Sequence, residues 1–280
     1  MKYKQLIVIY IFFIQYIYVH SIDLFTKFKQ RFVKNTTLTY ISENNIDLHN
    51  KKIITISPGG FKGFYVLGIC KYIKKHYDLT DYVFSGASAG AWNSLLLSFK
   101  GDIDLIENDL LSNIGENVNN LYKIESSLKK ELLQKYSSDD FDIDKLFIGT
   151  TVFENYSLKG KVYSGFENLD DVLDCCIASS HIPFITGWFK KRYRGLACFD
   201  GGFSEYPYIN NEISAIHITP NIFKNQHNGE LEESKLNIDD FTTIFSRKTY
   251  DTNQLVQQGY TDAKLNKDYI DSLFIKNITT

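Results

Sequence analysis

The chain lacks a charge excess, a cysteine framework and any internal repeat, and each absence removes a class of protein. Its 31 basic and 33 acidic residues leave a formal net charge of −2. No global field draws it onto nucleic acid, so an anionic partner has to be met by a local patch. The four cysteines, Cys70, Cys175, Cys176 and Cys198, have neither metal-ligand spacing nor the density of a disulfide scaffold. They read as buried thiols, and neither a metal nor a cofactor is called for. No repeat or low-complexity tract interrupts the chain. What is abundant is apolar: 44% of 280 residues, enough for the core of one large domain or of one domain with a small appendage. A disordered or fibrous protein is excluded.

The amino terminus, "MKYKQLIVIYIFFIQYIYVHSID", sets Lys2 and Lys4 ahead of an apolar stretch from Leu6 to Val19 broken only by Gln15. That is the layout of a secretory signal, and Val19 and Ser21 suit cleavage before Ile22. The run is short of the ~20 apolar residues that a membrane span needs. Residues 1–21 are therefore expected to be a signal sequence or membrane anchor, against the blander reading of a buried amphiphilic helix or strand. Residues 22–50 then form a polar connector, 51–280 the folded domain, and the destination is the secretory pathway, secreted or membrane-associated. The sequons at Asn35, Asn155 and Asn277 matter only on that route.

From Lys51 onward strand and helix patterns alternate. "KIITIS" (52–57) is β-branched and runs into "PGGFKG"; "FYVLGICKYIKKHY" (64–77) then has apolar residues at helical spacing. "YVFS" (82–85), "GASAG" and "AWNSLLLSF" repeat the order. Helical periodicity also fits "IDLIENDLLSNI", "LYKIESSLKKELLQKY" and "NQLVQQGYTDAKL", whereas "LFIGTTVF", "KVYSG", "LACFD" and "ISAIHIT" read as strands. Such alternation predicts an α/β fold, a three-layer sandwich with a largely parallel central sheet and helices on both faces.

Within this pattern "GASAG" places Ser88 between Gly86 and Gly90. In G-x-S-x-G the serine occupies a strained strand-to-helix turn, where flanking glycines let backbone approach and the turn lifts the hydroxyl into the open. The helix N-terminus behind it favours negative charge. A turn that only packs a helix close to the sheet needs the same glycines, but here strand and helix flank the serine as a nucleophile requires. Upstream, Gly59, Gly60 and Gly63 can turn backbone N–H groups toward an oxyanion, with Lys62 adding positive charge. A nucleotide site is the competing reading, and both phosphate-binding glycine patterns are missing.

A nucleophilic serine needs a base. Asp200 ends the strand-like "LACFD" before Gly201 and Gly202; the bland reading is a turn former. A carboxylate can serve as base directly if burial raises its pKa. If a histidine serves instead, only His217 and His227 follow Asp200, as the order Ser, acid, His requires. His181 reads as a buried structural residue.

"GGFKG", "GASAG", "IASSHIPFITG" and "DGG" together closely resemble the patatin-like phospholipase family. The resemblance spans about residues 52–265, and "GFKGFYVLG", "ASSHIPF" and "QQGYTDA" are similar to the branch containing adipose triglyceride lipase and adiponutrin. It implies a Ser–Asp dyad, with Ser88 as nucleophile, Asp200 as base and no catalytic histidine. It further implies an oxyanion turn of Gly59, Gly60, Phe61 and Gly63. Pro58 stands where many members have a first glycine, which removes one N–H donor.

The family's substrates lie in membranes or lipid droplets. "GWFKKRYRG" interleaves Trp188, Phe189 and Tyr193 with Lys190, Lys191, Arg192 and Arg194, a composition that docks on anionic lipid or forms an ordinary solvated loop. The expected function is hydrolysis of phospholipid or acylglycerol esters through an acyl-enzyme. A lipid-binding protein with little turnover, and an acyltransferase, are the alternatives.

Overall fold

The structure is a computed structural model and describes residues 39–41, 48, 51–117, 121–183, 186–187, 189–204, 207–209, 215–224 and 251–276. Residues 1–38, expected to hold the signal segment and most of the connector, lie outside it, as do Trp188, Asn35, Asn277 and His227. Among the described residues no helix is long and apolar enough to cross a membrane.

The expected alternation folds into one sheet of eight strands. They are β1 (Thr39–Ile41), β2 (Lys52–Ile56), β3 (Tyr82–Ala87), β4 (Leu146–Glu154), β5 (Ser157–Tyr163), β6 (Lys191–Tyr193), β7 (Leu196–Phe199) and β8 (Ala215–Ile218). Seven helices are described: α1 (Gly63–His76), α2 (Ala89–Ser98), α3 (Ile103–Asn117), α4 (Leu121–Lys135), α5 (Leu169–Ser179), α6 (Thr252–Leu265) and α7 (Lys267–Lys276). β1 lies inside the stretch read as a connector.

β8, β2, β3 and β4 run parallel in that order, which is the parallel centre the alternation predicts. Beyond it the sheet is mixed. β5 returns antiparallel beside β4, and β7 and β6 add antiparallel to β4 and to each other. The reversal after β4 has a local cause: Asn155 and Tyr156 both take positive φ, 50° and 60°, the two-residue hairpin turn that matches strand twist.

Strand side chains alternate between two cores. Ile54, Ile56, Phe84, Ile148, Ile216 and Ile218 join the large cluster to which all seven described helices contribute. Ile53, Val83, Phe147 and Val162 meet Ile209 and Leu48 on the opposite face. None of the described helices contributes a residue to this second cluster.

α6 is clamped to α1 at a glycine crossing. A Cβ on Gly68 would lie 2.0 Å from the Val256 carbonyl oxygen, and one on Gly259 1.9 Å from that of Tyr65. The Tyr65 hydroxyl donates to Asp262 Oδ2 at 2.8 Å across the same contact. Gly259→Ala gains up to about 1 kcal/mol of helix propensity but drives a methyl group into backbone that cannot rotate away, and overpacking of this kind costs about 1–3 kcal/mol. The clash should win. The thermal unfolding midpoint of Gly259→Ala is expected to fall; a rise would show that the two helices separate freely.

Candidate active site

Two strands meet head-on at this site. β3 pairs with the first half of β4, ending at Ala87 opposite Gly149. β7 pairs with the second half of the same edge, ending at Phe199 opposite Thr151. Their carboxyl ends therefore face each other across the position of Thr150, and the next residues are Ser88 and Asp200. The Ser88 hydroxyl donates to Asp200 Oδ2 at 2.6 Å. A Cβ on Gly201 would lie 2.6 Å from the Ala87 Cβ, so the residue after the aspartate has to be glycine for the ends to close.

Ser88 occupies a strained turn, φ 54° and ψ −126°, a conformation that costs a non-glycine residue about 1–3 kcal/mol. The glycines beside it behave as expected, since a Cβ on Gly86 or Gly90 would meet a backbone oxygen at 2.2 Å. A feature the sequence did not reveal holds the turn. The Ser88 N–H donates to Ser179 Oγ at 2.8 Å, and the Ser179 hydroxyl donates to the Gly149 carbonyl at 2.6 Å. Two residues on, the His181 carbonyl accepts the Asp200 N–H at 2.7 Å. The segment after α5 thus positions both members of the pair.

Asp200 is 1% exposed. Burial pushes its carboxyl up to about 7, against the opposing pull of the Ser88 hydroxyl and the Gly202 N–H, which donates to Oδ1 at 2.8 Å. A base poised at that value exchanges a proton near neutrality. His217 is elsewhere: its Nδ1 is 2.7 Å from Thr55 Oγ1 inside the sheet, and burial lowers its pKa to about 4. His217 is therefore not in hydrogen-bond contact with Ser88 or Asp200, which bond each other directly.

The glycine turn stands beside Ser88 as anticipated, with a narrower donor set. Asn93 Nδ2, one turn into α2, donates to the Gly63 carbonyl at 3.1 Å and ties the two segments together. Gly60, Phe61 and Gly63 line the cavity that contains Ser88; Gly59 and Lys62 do not. The Gly63 N–H is spent on the carbonyls of Gly60 and Phe61, and the Gly59 carbonyl accepts Lys62 N–H. The Gly60 N–H makes no hydrogen bond among the described residues.

The hydroxyl does not open to solvent as the elbow motif suggested. Ser88 is 3% exposed and faces a cavity of about 180 Å³ walled by Phe64, Leu67, Trp92, Leu96, Leu110 and Leu128. Leu110 and Leu128 come from α3 and α4, whose pairing covers the elbow. An apolar wall around one nucleophile suits an acyl chain.

The basic aromatic loop divides. Phe189 is 57% exposed, and its ring centroid is 6.5 Å from that of Phe199, the neighbour of Asp200. Lys190 and Arg192 are also exposed, and Lys191 is half-buried 3.8 Å from Asp174. Arg194 is a correction. It bonds Asp171 Oδ2 at 2.8 Å and the Gly165 carbonyl at 3.1 Å, and it lies over the rings of Tyr163, Phe166 and Tyr193, so it is an internal brace.

Residues 54–208 match the patatin-like phospholipase family. The chain belongs to that family. Among curated proteins, human 1-acylglycerol-3-phosphate O-acyltransferase PNPLA3 is 26% identical over 173 residues, covering 58% of this chain and 36% of that protein. The chain thus spans little more than a third of the relative's length. The match to the patatin-like family takes in β2 to β7, both strand ends and the segment between α5 and β6.

Ser179 is the positioning residue of this patatin-like site. Ser179→Ala leaves the buried Ser88 N–H without an acceptor, which costs about 1–3 kcal/mol and lets the elbow relax. The rate at which Ser88 is labelled by a fluorophosphonate is expected to fall about 5- to 150-fold, the kinetic equivalent of that range. An unchanged labelling rate in the folded variant would mean that the elbow stands without it.

Proposed function

We propose that the protein is a lipid acyl hydrolase that cleaves carboxylic ester bonds of phospholipids or acylglycerols, in lipid catabolism or membrane remodelling. The observation that carries this reading is the 2.6 Å hydrogen bond from Ser88 Oγ to Asp200 Oδ2 at the wall of an apolar cavity. Ionised Asp200 takes the Ser88 proton as Oγ attacks the ester carbonyl. The oxyanion that forms faces the Gly60 N–H and the N-terminus of α2, where developing charge is stabilised. Collapse breaks the ester C–O bond, protonated Asp200 returns its proton to the departing alcohol, and an acyl-enzyme remains. Water then repeats the sequence with Asp200 as base and releases the fatty acid.

A second reading substitutes a lipid alcohol for that water. It is supported by the acyltransferase name of the human relative. No Lys, Arg or His is among the described residues lining the cavity, so the phosphate of such an acceptor, like that of a phospholipid substrate, has to stay outside it. Mass spectrometry of products from a mixed lipid extract separates the two: free fatty acid supports hydrolysis, a newly acylated lipid supports transfer.

Three substitutions test the dyad. Ser88→Ala should abolish ester hydrolysis. Asp200→Asn should lower it about 10²–10⁴-fold, the usual contribution of a general base. His217→Gln should leave the rate per folded molecule unchanged. Because the base must be ionised, kcat/KM of the wild type should rise with pH and level off above an apparent pKa of about 7, the value to which burial pushes Asp200. Collapse of activity in the His217 variant, or an acid limb near pH 4, would overturn the dyad.

The loop beside the site supports docking on an anionic lipid surface, with Phe189, Lys190 and Arg192 as the groups in contact. Each basic residue at such a surface contributes about 1 kcal/mol, screened by salt. Joint replacement of these three by serine should weaken co-sedimentation with phosphatidylserine vesicles at low salt and leave hydrolysis of a soluble short-chain ester intact. Equal binding of both forms would move the docking face elsewhere.

A further inference from the structure

The cavity holds a second carboxyl group that the hydrolytic steps above do not use. Glu125, on α4, lines it together with Ser88 and Asp200. Leu128, one turn further along the same helix face, meets the same cavity with an apolar side chain. A residue needed only to cover acyl chain would resemble Leu128. Glu125 is instead a half-buried acid with no hydrogen bond among the described residues. Asp200, at the end of β7, lines the same cavity, and Cys176 on α5 and Lys191 on β6 are near enough to act on Glu125 electrostatically. Burial first, and the Asp200 charge second, hold its carboxyl well above the usual carboxylate range, with Lys191 opposing. A polar group kept in an apolar wall without a partner is costly, and that cost is relieved once a ligand brings the partner.

We propose that Glu125 is a specificity-determining residue of the acyl cavity: it hydrogen-bonds an uncharged oxygen function of the substrate and, with Asp200, excludes anionic groups. The proposal rests on the hydrolase reading. An uncharged carboxylic acid offers one O–H donor and a carbonyl acceptor, which a hydroxyl or ester oxygen can satisfy and a methyl group cannot. A carboxylate or phosphate brought to the same place meets the Asp200 charge among apolar side chains, and Lys191, which lies 3.8 Å from Asp174, does not line the cavity to pair with it. Acyl esters with a hydroxyl or a second ester oxygen at the right depth are therefore accepted, and those with a charged group there are refused.

The test uses p-nitrophenyl esters from butanoyl to dodecanoyl, each ending in methyl, hydroxyl or carboxylate, at pH 8. Wild type is expected to prefer the hydroxyl end over the carboxylate end by about 10-fold or more in kcat/KM at the chain length that reaches Glu125, in keeping with the cost of an unpaired buried polar group. Glu125→Gln, whose amide keeps a donor and an acceptor without a proton to lose, should retain that preference. Glu125→Leu should lose its preference for hydroxyl over methyl. Fluorophosphonate labelling of Ser88 in each variant reports an intact site independently of acyl selectivity. Equal wild-type rates for hydroxyl and carboxylate ends at every length would overturn the proposal without recourse to any variant, as would identical end-group ratios in wild type and a labelled Glu125→Leu protein. A wild type that is neither labelled nor active would overturn the hydrolase reading and this one with it.

Discussion

One edge of β4 accepts two strands that run toward each other, and the rest of the site depends on that shared edge. β3 and β7 leave it at Gly149 and Thr151, so the residue after each strand is delivered to the same gap. Backbone pairing, which is stiff and registered to a single residue, brings Ser88 within hydrogen-bond reach of Asp200 across 112 positions of chain. Nothing comparable would come from a loop. The same β4 carbonyl that lies opposite Ala87 accepts the Ser179 hydroxyl, so the strand fixes the elbow through a side chain as well as through its ladder.

The helices serve that gap in different ways. α2 begins just after Ser88 and points its N-terminus at the gap, and Asn93 fastens it to the turn that opens α1. α3 and α4 roof the cavity. α6 touches none of the candidate residues, yet its glycine crossing with α1 sets how that helix, and hence the Gly60 turn, sits over the sheet.

Much of this was readable in the sequence because small residues betray close approach. Gly86 and Gly90 around Ser88, and Gly201 after Asp200, have no other use than to let backbone pass, and strand and helix patterns on either side told which way the chain was turning. Ser179 was not readable: a serine in "ASSH" gives no sign that its partner lies 91 residues earlier. Glu125 was not readable either, because helical periodicity in "LYKIESSLKKELLQKY" does not tell that α4 lines the cavity beside Ser88. Arg194 misled in the opposite sense, since its acid, Asp171, belongs to another element. The antiparallel return of β5 was hidden too, because its turn is made by Asn155 and Tyr156 without the glycine that usually announces it.

The buried carboxyl of Asp200 has a consequence for the fold itself. The folded chain holds that proton up to about pH 7, whereas an unfolded aspartate releases it near 3.8. A carboxyl whose pKa rises on folding favours the native state fully in acid, and that contribution drains away as pH climbs from about 4 through 7. The fold's stability and the ionisation of Asp200 thus run in opposite directions along the same axis: the share of stability owed to this one carboxyl is largest in acid, while it keeps its proton, and is surrendered over the interval in which it becomes a carboxylate.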